Sequence, residues 1–200
     1  MKREDRIIFF AFICLFLFFV VTFLFSLCFS QGLDLTILNF FRNNLTSFLF
    51  KSFKLISNIF DPLKIAAFSL VLSLVLFLKK KKKDSLFFLS ASLLGLFFSF
   101  IFKEIIQRQR PENFLETGFG FPSGHAVMAI VFFCSLIYLS RKYFKEKEKM
   151  TITFFSIFLI FIILIGRLYL GVHWFSDVLG GVFLGGFVFL FNLYFFEKMK

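Results

Sequence analysis

The most constraining feature of this sequence is a series of long apolar runs, separated by short segments that hold most of its charged residues. About 20 consecutive apolar residues allow an α-helix to cross the hydrocarbon core of a bilayer. With 59% hydrophobic residues and 40 phenylalanines among 200 residues, the chain has too little polar surface to cover its apolar side chains in water. The composition therefore predicts a polytopic membrane protein with the lipid bilayer as its solvent.

Six apolar runs are long enough to be read as transmembrane helices. They cover residues 7–29, 62–78, 85 to about 102, 125–140, 150 to about 165 and 178–196. The first run is long for a signal peptide and lacks a small-residue cleavage site, so we expect an uncleaved anchor. At the start of the second run, Asp61 is a good N-cap and Pro62 suits the first helical turn. The sequence thus predicts an all-α fold with six spans in a single domain of residues 1–200.

Residues 31–61, between the first two spans, have a different pattern from the spans themselves. Apolar residues such as Leu35 and Phe48 are interleaved with polar residues such as Asn39 and Lys54. This pattern predicts one or two amphipathic helices that lie in the membrane interface rather than cross the membrane. Binding of another protein is the alternative role for such a helix.

Lysines and arginines are distributed unevenly between the two predicted sides of the membrane. Fifteen of the 23 lie near the termini or in the predicted loops 79–84 and 141–149, which six spans would place on one side. The positive-inside rule assigns that side to the cytoplasm. We therefore expect both termini in the cytoplasm, with the segments 103–124 and 166–177 on the opposite side.

The net charge of +11 has the same explanation. Nucleic-acid binding requires basic residues that form a face or a stripe, whereas these residues form short clusters between apolar runs. The run of five lysines at 79–83 is interpreted as a topology anchor, although such a run also suits anionic lipids. Nucleic acid is therefore not an expected partner.

Small residues inside the spans are interpreted as packing residues. The three cysteines lie in apolar runs and form neither a disulfide framework nor a metal-binding spacing. They are Cys14, Cys28 and Cys134. Glycines in membrane helices allow close approach of neighbouring helices. The glycines concerned are Gly95, Gly180, Gly181, Gly185 and Gly186.

Three short polar segments interrupt this pattern and contain both histidines of the chain. They read Lys103-x6-Arg110-Pro111, Pro122-Ser123-Gly124-His125 and Gly166-Arg167-x5-His173-x3-Asp177. Cations and imidazoles at the ends of apolar helices are costly in a membrane protein and are usually functional. The predicted topology puts all three segments on one side of the membrane, so they form a candidate site.

The cations of these segments suit a phosphate group. Arginine binds tetrahedral anions in a bidentate manner and lysine acts as a compact point charge. Lys103, Arg110 and Arg167 are therefore candidate phosphate ligands. Arg108 lies between two of them and is interpreted only as an interfacial anchor.

Segment 122–125 directly precedes a predicted span. Free backbone N–H groups at a helix N-terminus can cradle a phosphate. Gly124 permits close approach of the backbone, and the Ser123 hydroxyl adds a donor. A simple helix cap is the alternative role for such residues.

The two histidines and Asp177 provide the groups that phosphoryl transfer needs. His173 and Asp177 are four residues apart, so on one helix they would share a face and hydrogen-bond. A carboxylate on one imidazole nitrogen fixes the tautomer and makes the other nitrogen a better nucleophile. His125 would then donate a proton to the leaving oxygen. A zinc site is the rival use of these residues, but three nearby cations and the lack of a Cys or Glu cluster argue against it.

Together the three segments resemble the three-part motif of the type 2 phosphatidic acid phosphatase superfamily, and the six-span layout extends the resemblance to nearly the whole chain. The third motif of that superfamily usually begins Ser-Arg, whereas this chain has Gly166, which removes one hydroxyl that could contact phosphate. The resemblance implies a metal-independent phosphatase without a cofactor. It also implies a phosphohistidine on His173, with Asp177 orienting it and His125 as the general acid. The phosphate ligands that it implies are Lys103, Arg110, Ser123, Gly124 and Arg167.

Residues beside two of the motifs indicate which members of the superfamily this chain resembles most. Phe121 and the pair Gly171-Val172 look like those of small bacterial members. Those members act on undecaprenyl pyrophosphate, phosphatidylglycerophosphate or related lipid phosphates. We therefore expect a membrane lipid as substrate, and the bacterial inner membrane as the location.

Two alternatives to this expected function stay open. A lipid A phosphatase or a lipid phosphotransferase would share the same core. A catalytically silent scaffold or transporter is the non-enzymatic alternative, but it would be expected to lose His173 or Asp177. The sequence does not predict the oligomeric state.

Overall fold

A computed structural model describes residues 2–27, 31–111 and 116–198, and within them the chain forms eight α-helices. They are α1 (Arg3–Ser26), α2 (Gln31–Asn43), α3 (Ser47–Ile59), α4 (Pro62–Leu78), α5 (Lys82–Ile106), α6 (Gly124–Tyr143), α7 (Glu146–Tyr169) and α8 (Phe175–Lys198). The predicted all-α fold is confirmed.

The helices account for the predicted membrane spans. Five of them, α1 and α5 to α8, are long and apolar enough to cross a membrane alone. The sixth span comes from α4, which follows α3 with a bend of 46°. As predicted, Asp61 caps α4 by accepting a hydrogen bond from the Leu63 N–H at 3.0 Å, with Pro62 as the first helical residue. Residues 28 and 29, the end of the first predicted span, lie outside the described residues.

Several helices extend beyond the ends that the sequence predicted. Helix α5 continues to Ile106 and α7 to Tyr169, so Lys103 and Arg167 lie in last helical turns rather than in connecting segments. The predicted charged loop 141–149 is largely helical as well. Hydropathy marks the part of a helix that lies in hydrocarbon, whereas the helix itself can continue into the polar interface.

Helix α8 lies at the centre of the bundle, in contact with α1, α5 and α6. A Cβ added at Gly181 would lie 2.7 Å from the Ser123 carbonyl oxygen, and one at Gly185 would lie 2.8 Å from the Val127 carbonyl oxygen. The predicted role of these glycines in close helix packing is therefore confirmed. The contact also brings the start of α8 beside the start of α6, where two of the motifs lie.

The amphipathic stretch was predicted to form one or two helices, and it forms two, α2 and α3. Helix α3 packs against α7, where the Phe53 and Tyr169 rings lie 4.9 Å apart. Helix α2 contacts α7 and α8 and buries Asp34 and Leu38. Their location in the membrane interface stays a prediction.

Candidate active site

The three motifs meet at one end of the bundle around a cavity of about 470 Å³. Five of the eight predicted site residues line it, namely Lys103, Arg110, Gly124, His125 and His173. The other three, Ser123, Arg167 and Asp177, are buried beside it. The structure therefore brings together residues that are up to 74 positions apart in the sequence.

His173 has the hydrogen-bond pattern of a nucleophile. Its Nε2 lies 3.0 Å from Arg110 Nη1, which can only donate, so Nε2 accepts and carries no proton. Nδ1 then carries the proton and donates a hydrogen bond to Asp177 Oδ2 at 3.3 Å. The expected pair is thus present, but the expectation that both residues share a helix was wrong. His173 precedes α8, and only Asp177 lies in its first turn.

The surroundings of His173 favour the neutral imidazole. The side chain is buried, and burial lowers the pKa of His173 well below its ordinary value. The nearby cations Arg167, Arg110 and Lys103 lower the pKa further. A neutral ring keeps Nε2 unprotonated, with a lone pair that accepts the Arg110 hydrogen bond.

Glu116 occupies the centre of the cation cluster, and the sequence did not predict it as a site residue. Its carboxylate pairs with Arg110 Nη1 at 2.9 Å and also accepts a hydrogen bond from Arg167 Nη2. Burial alone would raise the pKa of Glu116, but the two guanidinium groups outweigh this and lower it. An anion therefore already lies between two of the predicted phosphate ligands.

Ser57 of α3 is a second site residue that the sequence did not predict. Its hydroxyl accepts a hydrogen bond from Arg167 Nη1 and lies 3.2 Å from His125 Nε2. The Ser57 carbonyl oxygen lies 3.1 Å from the same nitrogen. Because a carbonyl oxygen can only accept, His125 Nε2 carries a proton in this arrangement. Ser57 thus orients both an arginine and the proton-bearing nitrogen of a histidine.

The start of α6 differs in one respect from the prediction. Helix α6 begins at Gly124 with Ser123 as its N-cap residue, as the motif suggested, but the Ser123 N–H is not free. It donates to the Asp177 carbonyl oxygen at 3.0 Å, because Gly181 allows α8 to approach so closely. The Ser123 hydroxyl, which was expected to bind phosphate, is buried and has no hydrogen-bond partner within the described part of the chain. Arg167 Nε is also buried and has no partner among these residues.

Gly166, where the resemblance departs from the usual motif, packs against α3. A Cβ at this position would lie 3.0 Å from Phe53 Cδ1. Few Cβ contacts are that short, so a serine here would have to push the ring aside. The glycine therefore allows α3 to lie close to α7.

Arg108 is not merely an interfacial anchor, so that interpretation was wrong. Its guanidinium group bonds to Asp177 Oδ1 at 2.7 Å and to Asp34 Oδ2 at 2.7 Å. The pairing uses a carboxylate 74 positions earlier in the chain, which local sequence pattern cannot indicate. Arg108 thus belongs to the surroundings of Asp177.

Acidic, cysteine and histidine side chains do not gather into a metal site in the described ranges. No group of three or more that could hold an ion occurs there. The zinc alternative thus has no ligand set in this part of the chain.

The fold and the site together define a polytopic membrane protein with a cavity lined by two histidines and several cations. A sequence model of the PAP2 superfamily matches residues 84–200, which include all three motifs. The chain therefore belongs to the PAP2 superfamily, and the resemblance read from its motifs is confirmed.

Two relatives from Bacillus subtilis are similar to this chain. Phosphatidylglycerophosphatase B of strain 168 is 36% identical over 105 residues, and the match covers 50% of this chain and 52% of that protein. The chain thus spans about half the length of this curated relative. The crystal structure of a transmembrane PAP2-type phosphatidylglycerolphosphate phosphatase, described as the first, is 25% identical, with a TM-score of 0.86. That match covers 95% of this chain and 97% of the other.

Proposed function

We propose that this chain is a membrane phosphatase that removes phosphate from a lipid through a phosphohistidine intermediate on His173. The observation that carries the proposal is the hydrogen-bond pattern of His173, with Nδ1 on Asp177 and an unprotonated Nε2 that faces Arg110. This pattern is the one that an imidazole nucleophile requires.

In the first step, His173 Nε2 forms a bond to phosphorus while the bond from phosphorus to the lipid oxygen breaks. Lys103, Arg110 and Arg167 neutralise the charge on the three phosphoryl oxygens, as arginine and lysine do in other phosphoryl-transfer sites. His125 gives its proton to the leaving oxygen, which departs as an alcohol or a phosphate.

In the second step, a water molecule attacks phosphorus and the bond to His173 breaks. His125, now without its proton, takes one from the water. Inorganic phosphate leaves, and both histidines return to their starting states. No metal ion takes part, because the three cations stabilise the charge that a metal would otherwise stabilise.

Glu116 has to leave Arg110 and Arg167 before phosphate can bind between them. Two carboxylate contacts on these guanidinium groups are replaced by phosphate oxygens, which arginine binds in the same bidentate manner. Glu116 lies on the connection after α5, outside any helix, so its backbone is not held by helical hydrogen bonds.

A lipid substrate is supported by the surroundings of the cavity. Asp61 and Pro62, at the bend between α3 and α4, form part of its wall. The neighbouring apolar side chains Ile59 and Leu63 are exposed, Leu63 at 71%. Exposed apolar side chains in a membrane protein contact lipid tails. A headgroup can therefore enter the cavity while its tails stay in the bilayer.

We further propose phosphatidylglycerophosphate as the substrate, a lipid that carries a phosphodiester beside its terminal phosphate. The names of both relatives support it. A second cavity of about 450 Å³ shares Asp61, Glu116 and His125 with the first and is lined by Lys54 of α3. Lys54 is thus on the leaving-group side of the site, where the second phosphate of such a lipid would lie.

Replacing Lys54 with alanine should lower kcat/KM for lipids with two phosphates about tenfold, but leave phosphatidate hydrolysis nearly unchanged. The reason is the loss of one charge-assisted contact to the second phosphate, about 1.4 kcal/mol. Phosphate release from phosphatidylglycerophosphate, undecaprenyl pyrophosphate, phosphatidate and lipid A would be measured with the purified protein in EDTA. Lys51→Ala is the matched control, one turn earlier on α3 and outside this cavity.

This assay also tests the proposed function itself. No phosphate release from any of the four lipids would refute the phosphatase, and activity that requires added zinc would refute the cation mechanism. If undecaprenyl pyrophosphate is hydrolysed far faster than phosphatidylglycerophosphate, the proposed substrate is wrong. Equal losses on all lipids in Lys54→Ala would contradict the assignment of Lys54 to a second phosphate.

We also propose that the site faces away from the cytoplasm of a bacterial inner membrane, with both termini inside. The charge distribution of the sequence supports this orientation. In a variant without native cysteines, Thr117→Cys, exposed at the rim of the cavity, should react with an impermeant thiol reagent on intact cells. Lys147→Cys, exposed at the start of α7, should react only after lysis. The reverse labelling pattern would show the opposite orientation.

A further inference from the structure

A buried polar cluster that the three motifs do not contain lies behind the His173–Asp177 pair. It consists of Asp34 from α2, Arg108 from the connection after α5 and Ser176 from the first turn of α8. We propose that Asp34 and Arg108 are positioning residues, which hold the Asp177 carboxylate in the orientation that His173 needs for attack. This inference rests on the proposed phosphohistidine chemistry.

Arg108 joins the two carboxylates through different nitrogens of its guanidinium group. Nη1 donates to Asp177 Oδ1 at 2.7 Å and to the Ser176 hydroxyl at 2.6 Å, and Nη2 donates to Asp34 Oδ2 at 2.7 Å. Because the guanidinium group is planar and rigid, these contacts fix the position of one carboxylate relative to the other.

Asp34 is itself fixed from a second direction. Its Oδ1 accepts the Ser176 backbone N–H at 2.9 Å, and its Oδ2 accepts the Ser176 hydroxyl at 2.6 Å. Ser176 precedes Asp177 directly, so Asp34 holds both Arg108 and the backbone of the catalytic turn. Helix α2, outside all three motifs, is thereby tied to the nucleophile.

The result is a fixed rotation of the Asp177 carboxylate. With Oδ1 held by Arg108, Oδ2 is left to face His173 Nδ1 at 3.3 Å and the Trp174 backbone N–H at 3.0 Å. Oδ2 is therefore held in position to accept the hydrogen bond from His173 Nδ1. Rotation of the carboxylate would break the short bond to Arg108.

Burial and charge make this arrangement important for the reaction. Asp34 and Asp177 are 2% and 0% exposed and the Arg108 side chain is 13% exposed, so water competes little with these contacts. Two carboxylates and one guanidinium group leave one net negative charge beside His173. The imidazole becomes more positive when Nε2 bonds to phosphorus, and that negative charge stabilises it.

Aromatic rings restrain Arg108 as well. Its Cζ lies 4.3 Å from the centroid of the Phe25 ring of α1 and 5.7 Å from that of Trp174. Such cation–π contacts hold the plane of the guanidinium group. Helices α1, α2 and α8 thus all contribute to the position of one carboxylate.

The test uses the purified full chain with phosphatidylglycerophosphate labelled on its terminal phosphate, and p-nitrophenyl phosphate. Arg108→Met should slow phosphoenzyme formation by about 10- to 100-fold, the size of loss that removing the partner behind a metal-ligating histidine typically causes. The loss should be similar for both substrates, and KM and inhibition by vanadate should change little, since no phosphate ligand is altered. Arg108→Lys should be intermediate, because one ammonium group cannot bridge both carboxylates.

Asp34→Asn tests the same inference without a change in side-chain volume. We expect about a tenfold slower phosphoenzyme formation, and the double variant with Arg108→Met should lose less than the product of the two single losses. Arg141→Met, an exposed arginine at the far end of α6, is the control and should behave as wild type. Thermal melting of each variant identifies loss of the fold.

Three outcomes would overturn the inference. The first is an unchanged rate of phosphoenzyme formation in folded Asp34→Asn and Arg108→Met. The second is a loss that affects only the binding of vanadate or substrate. The third is a loss in the double variant that equals the product of the two single losses. If Arg108→Met does not fold, the rates of phosphoenzyme formation in Asp34→Asn and Arg108→Lys test the inference instead. A wild-type protein that hydrolyses the lipid without any labelled enzyme would instead refute the proposed phosphohistidine.

Discussion

Replacing His173 with alanine should abolish the labelled enzyme intermediate and reduce turnover by about 10⁶-fold or more, the scale of ordinary enzymatic rate enhancement. The imidazole is the protein group that bonds to phosphorus in the proposed mechanism. Its Nε2 is unprotonated and its Nδ1 is held by Asp177, so no neighbouring side chain reproduces this arrangement. The measurement is rapid mixing with labelled lipid and a quench that avoids acid, because phosphohistidine is acid-labile.

His173→Gln is the companion variant, since it retains much of the side-chain volume in this buried position. Both variants should bind vanadate, because Lys103, Arg110 and Arg167 are intact. Labelling that persists in either variant, or that moves to Ser123, would overturn His173 as the nucleophile.

The acidic limb of the pH dependence of the wild-type protein follows from the same residue. Protonation of His173 removes the nucleophile, so the rate should fall as the pH falls through the pKa of the folded state. Burial and three cations place that pKa well below the ordinary value of 6.5. Phosphoenzyme formation should therefore persist at pH 6 and decline only under more acidic conditions. The apparent pKa belongs to the coupled site rather than to His173 alone.

Replacing His125 with alanine should have the second largest effect, and its size should depend on the leaving group. Loss of a general acid typically costs about 10²–10⁴-fold. A lipid alkoxide needs a proton in order to leave, so hydrolysis of phosphatidylglycerophosphate should show the full loss. Nitrophenolate leaves without protonation, so phosphoenzyme formation from p-nitrophenyl phosphate should be affected much less. The phosphoenzyme itself should still form with the nitrophenyl substrate.

Ser57→Ala is a matched control for this prediction. It removes the hydroxyl 3.2 Å from His125 Nε2 but keeps the Ser57 carbonyl oxygen at 3.1 Å, so the acid stays oriented. We expect it to lose much less activity than His125→Ala. Equal losses of the rate of phosphoenzyme formation from both substrates in His125→Ala would argue against a general acid and for a structural histidine.

The fold was largely predictable because hydropathy reports membrane spans directly. Each of the six predicted runs corresponds to a helix, and the charges between them set the expected topology. Helix ends were less predictable, since Lys103 and Arg167 lie in helical turns beyond the apolar runs. A polar residue at the end of a span can extend the helix or leave it, and hydropathy does not distinguish these cases.

The candidate site was predictable only where its residues share a short motif. The spacing of His173 and Asp177 indicated their contact, although a turn before α8, rather than a shared helix, produces it. Arg108 pairs with a residue 74 positions away, and Arg167 contacts Ser57 at a separation of 110. Such contacts depend on how α2 and α3 pack on the bundle. In the sequence alone, Asp34 and Ser57 look like ordinary polar residues of an amphipathic helix.

The glycine at position 166 gains a different meaning from its contact with Phe53. In the usual motif a serine precedes the arginine, so the sequence alone shows only the loss of a hydroxyl beside Arg167. In three dimensions, the absent side chain leaves room for α3, and α3 supplies the Ser57 hydroxyl that accepts a hydrogen bond from Arg167. Positions 166, 53 and 57 are therefore linked through α3: a serine at 166 would have to displace the Phe53 ring by a few tenths of an ångström, on the helix that also carries Ser57. Superfamily members that differ at 166 should differ in how closely this helix lies against the site.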